Sequence, residues 1–216
     1  MTDRTCECCG SVANLPADAE SESESTVDRW LGDASVMETS LPDDVQTAMT
    51  TFFDGASITT LEEWVAELRR QTGGGSIGIE ELCHADGETD HWGELDGTRY
   101  DFQCFYDAVA LAELAARPVE IHTRSPDGTA IEARATGTGD LTATPSTAAV
   151  SFGVTTDESL PDREPTLEDT YATICPSVNA FPTREAYEQW AARTQAATVG
   201  MPLSAATVVA TGLVEE

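Results

Sequence analysis

The chain contains no lysine. Its basic side chains are all arginine, 11 of them against 39 aspartates and glutamates, so 216 residues carry a formal net charge of −28. A nucleic-acid footprint needs a basic patch, and the pair Arg69-Arg70 alone does not make one. Long apolar runs are absent too, which argues against a membrane span. The opening Met-Thr-Asp-Arg leads straight into cysteines without the apolar centre of a signal peptide, so a cytoplasmic protein is expected. Histidine is scarce, and three histidines with scattered serines offer no hydrolase triad. The run Gly73-Gly74-Gly75 lacks the lysine and threonine of a phosphate loop. The acid excess is spread along the chain rather than gathered in one block. That pattern suits a protein kept hydrated in concentrated salt, where self-repulsion is screened over a few ångströms, and we read it as halophilic adaptation.

Six cysteines are present: Cys6, Cys8, Cys9, Cys83, Cys104 and Cys175. In a cytoplasmic protein they are expected as thiols or metal ligands rather than as a disulfide framework. Cys6 and Cys9 have the CxxC spacing, followed by Gly10, of a zinc-knuckle half-site. A second half-site of equal quality is missing, and Cys83-His84 is the nearest other soft pair. The alternative is a tail that simply bears thiols. Pro16 to Thr26 is acidic, serine-rich and poor in apolar residues, and residues 1–40 are expected to lack structure.

Further along, apolar residues recur at helical spacing. Val45, Met49, Phe52 and Phe53 mark one helix, and Leu61, Trp64, Val65 and Leu68 a second, opened by a Thr60/Glu63 capping box. A strand over Ser76–Leu82 and another near His91–Leu95 would complete a winged-helix-like unit over 41–100. The stretch from Ala108 is rich in alanine and leucine, and a helix there, with Cys104 at its N-terminal turn, should stop just before Pro118. Val119–Arg124 and Thr129–Thr136 alternate around the turn Ser125-Pro126-Asp127-Gly128, the signature of a hairpin. Ala148–Val154 reads as a strand, Thr170–Cys175 as a buried strand ending in a cysteine, and Thr183–Arg193 as a helix. Leu203–Leu213 closes the chain as helix or strand. The fold class expected is α+β: a winged-helix-like helical unit packed on a mixed or antiparallel β core with flanking helices, the core spanning 101–216.

Within this plan Cys104 and Asp107 stand out. Residues three apart on a helix share a face, so a thiol and a carboxyl at the start of the central helix should point into one space. A thiol at a helix N-terminus is also easier to ionise than a free one. Taken singly, each residue has a plainer reading. A free cysteine is often a small core residue, and an acid in a first helical turn complements the helix dipole. Cys83-His84 reads as structural or incidental, and His91 and His122 as surface positions.

From about Glu94 onward the chain resembles the organomercurial (alkylmercury) lyase family, as a haloarchaeal-type homologue. The residues that carry the resemblance are Leu95-Asp96-Gly97-Thr98-Arg99-Tyr100 leading into Cys104-x-x-Asp107, then Arg117-Pro118-Val119 and the hairpin turn at 125–128. Cys175, Phe181, Glu185-Ala186, Trp190 and Met201-Pro202-Leu203 follow in the family's order. The resemblance implies protonolytic cleavage of a carbon–mercury bond to a hydrocarbon and Hg(II), as in mercury detoxification. Cys104 and Cys175 would grip the metal, because thiolates are soft donors. Asp107 would carry a proton from a thiol to the leaving carbon, and Hg(II) would end on both thiols and the carboxylate. No organic cofactor is implied. The expected partners are an organomercurial substrate and, for the product, a mercuric reductase or small thiols. The chain departs from the family in having Phe105 and Tyr106 inside the motif, where small or aliphatic residues are usual, and Pro176-Ser177-Val178 after the second cysteine. The alternative function is a non-catalytic protein on the same scaffold that binds or senses mercury, copper or zinc.

Cys6, Cys8 and Cys9 are assigned a part in accepting Hg(II) from the core, with zinc as the other candidate ligand. Replacing all three with serine should slow transfer of mercury to a dithiol acceptor far more than it slows release of hydrocarbon. Transfer at the wild-type rate would remove them from the route.

Overall fold

The computed structural model describes residues 28–32, 35–71, 77–155 and 165–214. Cys6, Cys8 and Cys9, the acidic tract 16–26, Gly73–Gly75 and most of the loop 155–169 lie outside the described residues. Among these described residues six helices and eight strands follow in the order α1 (Asp43–Phe52), α2 (Leu61–Gln71), β1 (Trp92–Leu95), β2 (Thr98–Asp101), α3 (Tyr106–Ala115), β3 (Val119–Arg124), β4 (Ala130–Ala135), β5 (Leu141–Thr144), β6 (Ala149–Thr155), α4 (Leu167–Ile174), β7 (Ala180–Phe181), α5 (Arg184–Ala191), β8 (Ala196–Pro202) and α6 (Ala206–Val214). The class is α+β, as expected.

The strands form two antiparallel sheets, β2-β1-β3-β4-β5 and β7-β6-β8. In the larger sheet β3 and β4 alternate strictly between buried and outward-facing residues, which sets one face against the core. In the smaller sheet β6 and β8 are buried nearly throughout, beneath α1, α4 and α5. Helix α3 packs on β1 and β3 on one side and on α6 on the other, and α2 also packs on α6. One hydrophobic cluster runs from Leu31 to Leu213, and a second, smaller one gathers Ala149, Phe181 and Tyr187 under α5.

Several elements differ from the sequence expectation, each for a local reason. Thr170–Cys175 is not a strand. Thr166 and Asp169 form a reciprocal capping box that starts α4, and Thr170 and Ile174, four residues apart, face the core. The Cys175 residue then opens a 3-10 turn, Cys175–Ser177, with Pro176 at its start. Ile79–Glu81 is likewise a 3-10 turn rather than a strand, closed by the Gly78 N–H donating to the Glu81 carboxylate at 2.7 Å. The hairpin β1–β2 consequently joins β3 in the larger sheet. Part of the segment expected to lack structure is packed: Leu31 and Val36 are buried, and along the outer edge of β8 the Leu31 N–H donates to the Gly200 carbonyl while the Gly200 N–H donates to the Arg29 carbonyl. The open ending Leu203–Leu213 resolves as a short 3-10 turn and α6.

Helix α3 ends at Ala116 in the left-handed region, φ 49°, immediately ahead of Arg117-Pro118. Gly137, at φ 72°, closes against this end: a Cβ there would fall on the Arg117 amide nitrogen and the Ala112 carbonyl oxygen. Gly137→Ala combines backbone strain with overpacking, and should lower stability by roughly 2–4 kcal/mol. A shift of the urea midpoint with unchanged slope would report it.

Candidate active site

Three segments converge on the N-terminal end of α3. The first is the loop 82–85, which pairs with the end of β2: His84 bridges Phe102, the Ala85 N–H donates to the Asp101 carbonyl, and the Gln103 N–H donates to the Cys83 carbonyl at 3.0 Å. The second is the bend carrying Cys104, two residues ahead of α3 rather than within it, with Asp107 in the helix's first turn. The third is the end of α4, where Cys175 begins its 3-10 turn. That turn is pinned from β6, where the Ser151 hydroxyl donates to the Ser177 carbonyl at 2.7 Å and accepts from the Asn179 N–H. The Tyr171 hydroxyl donates to the Glu81 carbonyl at 2.5 Å and so ties α4 to the first segment.

The result is that one ligand atom each from Cys104, Asp107 and Cys175 lies within 4.8 Å of the others. Cys104 and Asp107 are each only 5% exposed, and Cys175 is half-buried. The Cys104 thiol donates to Asp107 Oδ2 at 3.3 Å, and the Cys83 backbone N–H donates to Oδ1 at 3.2 Å. Both carboxylate oxygens are therefore occupied by donors.

Burial dominates the electrostatics of Asp107 and raises its pKa, against the opposing hydrogen bonds from Cys83 and Cys104. A carboxyl in this state retains a proton more readily than a solvated one. For Cys104, hydrogen bonding from the Cys175 thiol pulls downward, but burial and the Asp107 charge outweigh it and the net shift is upward. Cys175 touches both Cys104 and Cys83, and donating its proton to them raises its own pKa. The same contact lowers Cys83.

Cys83 is the residue that sequence reasoning missed. Its contact with Cys175 depends on a backbone bridge between two loops, and the one available signal was a soft pair, Cys83-His84, with no partner in view. His84 itself points elsewhere, its Nε2 lying 2.9 Å from the Ile79 carbonyl. His91 is half-buried, bonded through Nδ1 to the Thr123 hydroxyl at 2.7 Å, and lines the same cleft as Cys83. His122 stacks on Trp92 and pairs with Glu132, away from the cluster.

Two spaces meet at the cluster. On one side is an apolar pocket of about 50 Å³ walled by Trp64, Leu82, Tyr106, Phe152, Ile174 and Leu213. On the other is an open cleft of about 580 Å³, lined by Cys83, Cys104 and Cys175 together with Tyr171 and Asn179. Tyr106, inside the Cys104-x-x-Asp107 motif, is buried edge-on to Phe152 and anchored by its hydroxyl to the Ala206 carbonyl.

The raised pKa of Asp107 makes a stability prediction with a definite sign. Between the ordinary carboxylate range and the raised folded value, the native state binds the proton more tightly than the unfolded chain does. Stability from this group therefore falls as pH rises through that window, and the penalty is complete above it. Asp107→Asn removes the charge and keeps an acceptor for the Cys83 N–H. The variant should gain melting temperature relative to wild type as pH increases, measured by paired thermal melts from roughly pH 4 to 8.

No curated protein matches the chain. Among solved structures, one described as the mercury-bound form of MerB2 is similar, with 20% sequence identity and a TM-score of 0.46 over 80% of this chain and 91% of that one. The MerB alkylmercury lyase family model matches residues 85–215, from the loop carrying Cys83 to the end of α6. Because that match takes in more than half of the sequence, the chain belongs to the alkylmercury lyase family, enzymes that break carbon–mercury bonds.

Proposed function

We propose that Cys104, Asp107 and Cys175 carry the family's reaction in this chain, and that its preferred substrates are small alkylmercurials. The observation that carries the assignment is the trio of two thiols and a carboxyl within 4.8 Å, two of its members buried and Cys175 half-buried, set between an apolar pocket and an open cleft.

The geometry divides the roles. Cys175 is the more exposed of the two thiols and lines the cleft, so it takes mercury first. An organomercurial R–Hg–X exchanges its ligand X for the Cys175 sulfur, and HX leaves with the thiol proton. The organic group then occupies the apolar pocket beside Asp107. Cys104 is already bonded to Asp107 Oδ2. As its sulfur closes on mercury, its proton passes to Asp107 and from there to the carbon. The Hg–C bond breaks, a second Hg–S bond forms, and the products are R–H and Hg(II) held by two sulfurs. Two soft donors push electron density towards the carbon that must accept the proton. Burial of Asp107 suits it to hold a proton briefly near neutral pH. The family needs no cofactor for this chemistry.

Pocket size supports the choice of substrate. An apolar cavity of about 150 Å³ holds a benzene ring, and the pocket here is about 50 Å³. Tyr106 fills much of the space that a smaller residue would leave. Residues 41–100 contribute Trp64, Leu68, Ile77 and Leu82 to this pocket, and 101–216 contribute the trio. We take that as the division of labour between the two parts of the chain. A setting in a halophilic cytoplasm, with small thiols or a mercuric reductase receiving Hg(II) and Cys6, Cys8 and Cys9 assisting, remains part of this reading. No helix among the described residues is long and apolar enough to cross a membrane.

The test is release of hydrocarbon from methyl- and phenylmercurials in the presence of excess small thiol, followed by gas chromatography. Wild type should release methane faster than benzene. Asp107→Asn should lose release by about 100-fold or more while still binding mercury. Tyr106→Ala should raise benzene release relative to methane by about tenfold, a difference of about 1.4 kcal/mol in barrier. A wild-type protein that binds both mercurials and releases neither hydrocarbon overturns the reading.

A further inference from the structure

A product held by two buried sulfurs poses a problem of release. Ligand exchange at a two-coordinate soft metal proceeds by attack of a third thiolate, and Cys104 and Asp107 are almost closed to solvent. The open cleft offers a thiol from solution a route to this centre. Cys83 already stands there. It is half-buried and lines the same cleft as Cys175 and Cys104. Among the described cysteines it is the third on that cleft, beside the Cys104–Cys175 pair. Cys83 does not share the mutual 4.8 Å grouping of the trio, which places it next to the metal site rather than within it.

Its position is also fixed. The Cys83 N–H donates to Asp107 Oδ1, and its carbonyl accepts from the Gln103 N–H, one residue before Cys104. Both backbone groups of Cys83 are thereby tied to the segment that carries the trio.

We propose that Cys83 is the exit ligand for Hg(II), taking the metal from Cys104 while Cys175 keeps hold of it. The inference rests on Cys104 and Cys175 being the product ligands. In the exchange, a Cys83 S–Hg bond forms and the Cys104 S–Hg bond breaks. The proton released by Cys83 ends on Cys104, and no electron is transferred. The step leaves mercury between Cys175 and Cys83 at the cleft, open to attack by an acceptor thiol. It also restores the Cys104 thiol beside Asp107 for the next turnover.

The full-length chain with Cys6, Cys8 and Cys9 changed to serine, loaded with one equivalent of inorganic Hg(II), tests this without any cleavage step. Transfer of mercury to dithiothreitol should slow tenfold or more in Cys83→Ser, and equally in Cys83→Ala, since the two share only the loss of sulfur. With Cys104→Ser, mercury X-ray absorption should still count two protein sulfurs, falling to one when Cys83→Ser is added. Transfer within twofold of the parent, or a single sulfur in Cys104→Ser, overturns the proposal. If Cys104→Ser and Cys175→Ser each leave Hg(II) affinity unchanged, the fault lies instead with the assignment of the trio, and the exit role falls with it.

Discussion

The constraint on which the site depends is a carboxyl group shut away from water. Asp107 is 5% exposed at the start of a helix whose other residues are almost all apolar, and a buried carboxyl needs partners for its oxygens. Here one partner is a thiol and the other a backbone amide from a loop more than twenty residues earlier in the chain. Satisfying Asp107 therefore brings Cys83 to the site, and the bridge between His84 and Phe102 keeps it there. The same burial that demands these partners raises the carboxyl's pKa, which suits it to the proton-carrying role proposed for it.

How much of this could be read from the sequence depended on how local each feature is. Cys104 and Asp107 were legible because their separation is set by one helical turn, even though Cys104 stands just outside the helix. The hairpin β3–β4 was legible because one of its faces meets the core and the other meets water, which writes alternation into the residues. Strands β6 and β8 are buried on both faces. That removes alternation, and β8, with small residues and a glycine, left no signal at all. Gly200 has to be small there, because the Tyr187 ring lies where a Cβ would point. Helix α4 was misread because Thr170, Thr173 and Ile174 are β-branched and suggest a strand. The capping box of Thr166 and Asp169 was present in the same stretch, and in the folded chain it prevails. The contact of Cys83 with Cys175 had no sequence signature. It is made by two turns brought together from separate elements, and its geometry is set by backbone bonds, which no pattern of side chains encodes.

The two spaces around the trio serve opposite needs of one reaction. A carbon–mercury bond is best protonated in a dry pocket, where the carboxyl keeps its proton and the organic group finds apolar walls. The metal must still leave, and a dry pocket with two thiolates is the environment it leaves least readily. Widening the site would ease release and weaken the control of Asp107 by burial. A graded row of thiols resolves the conflict without opening the pocket, because each transfer keeps one Hg–S bond in place while another is exchanged. Cys175 is suited to the middle of such a row: it stands at the boundary between pocket and cleft, on a turn tied to β6 by Ser151 and to the opposite loop by Tyr171. In the proposed route, rigidity of that turn bears both on how well mercury is held during cleavage and on how directly it is handed outwards. On that reading the bonds that fix Cys175 are as much a part of the chemistry as the sulfur itself.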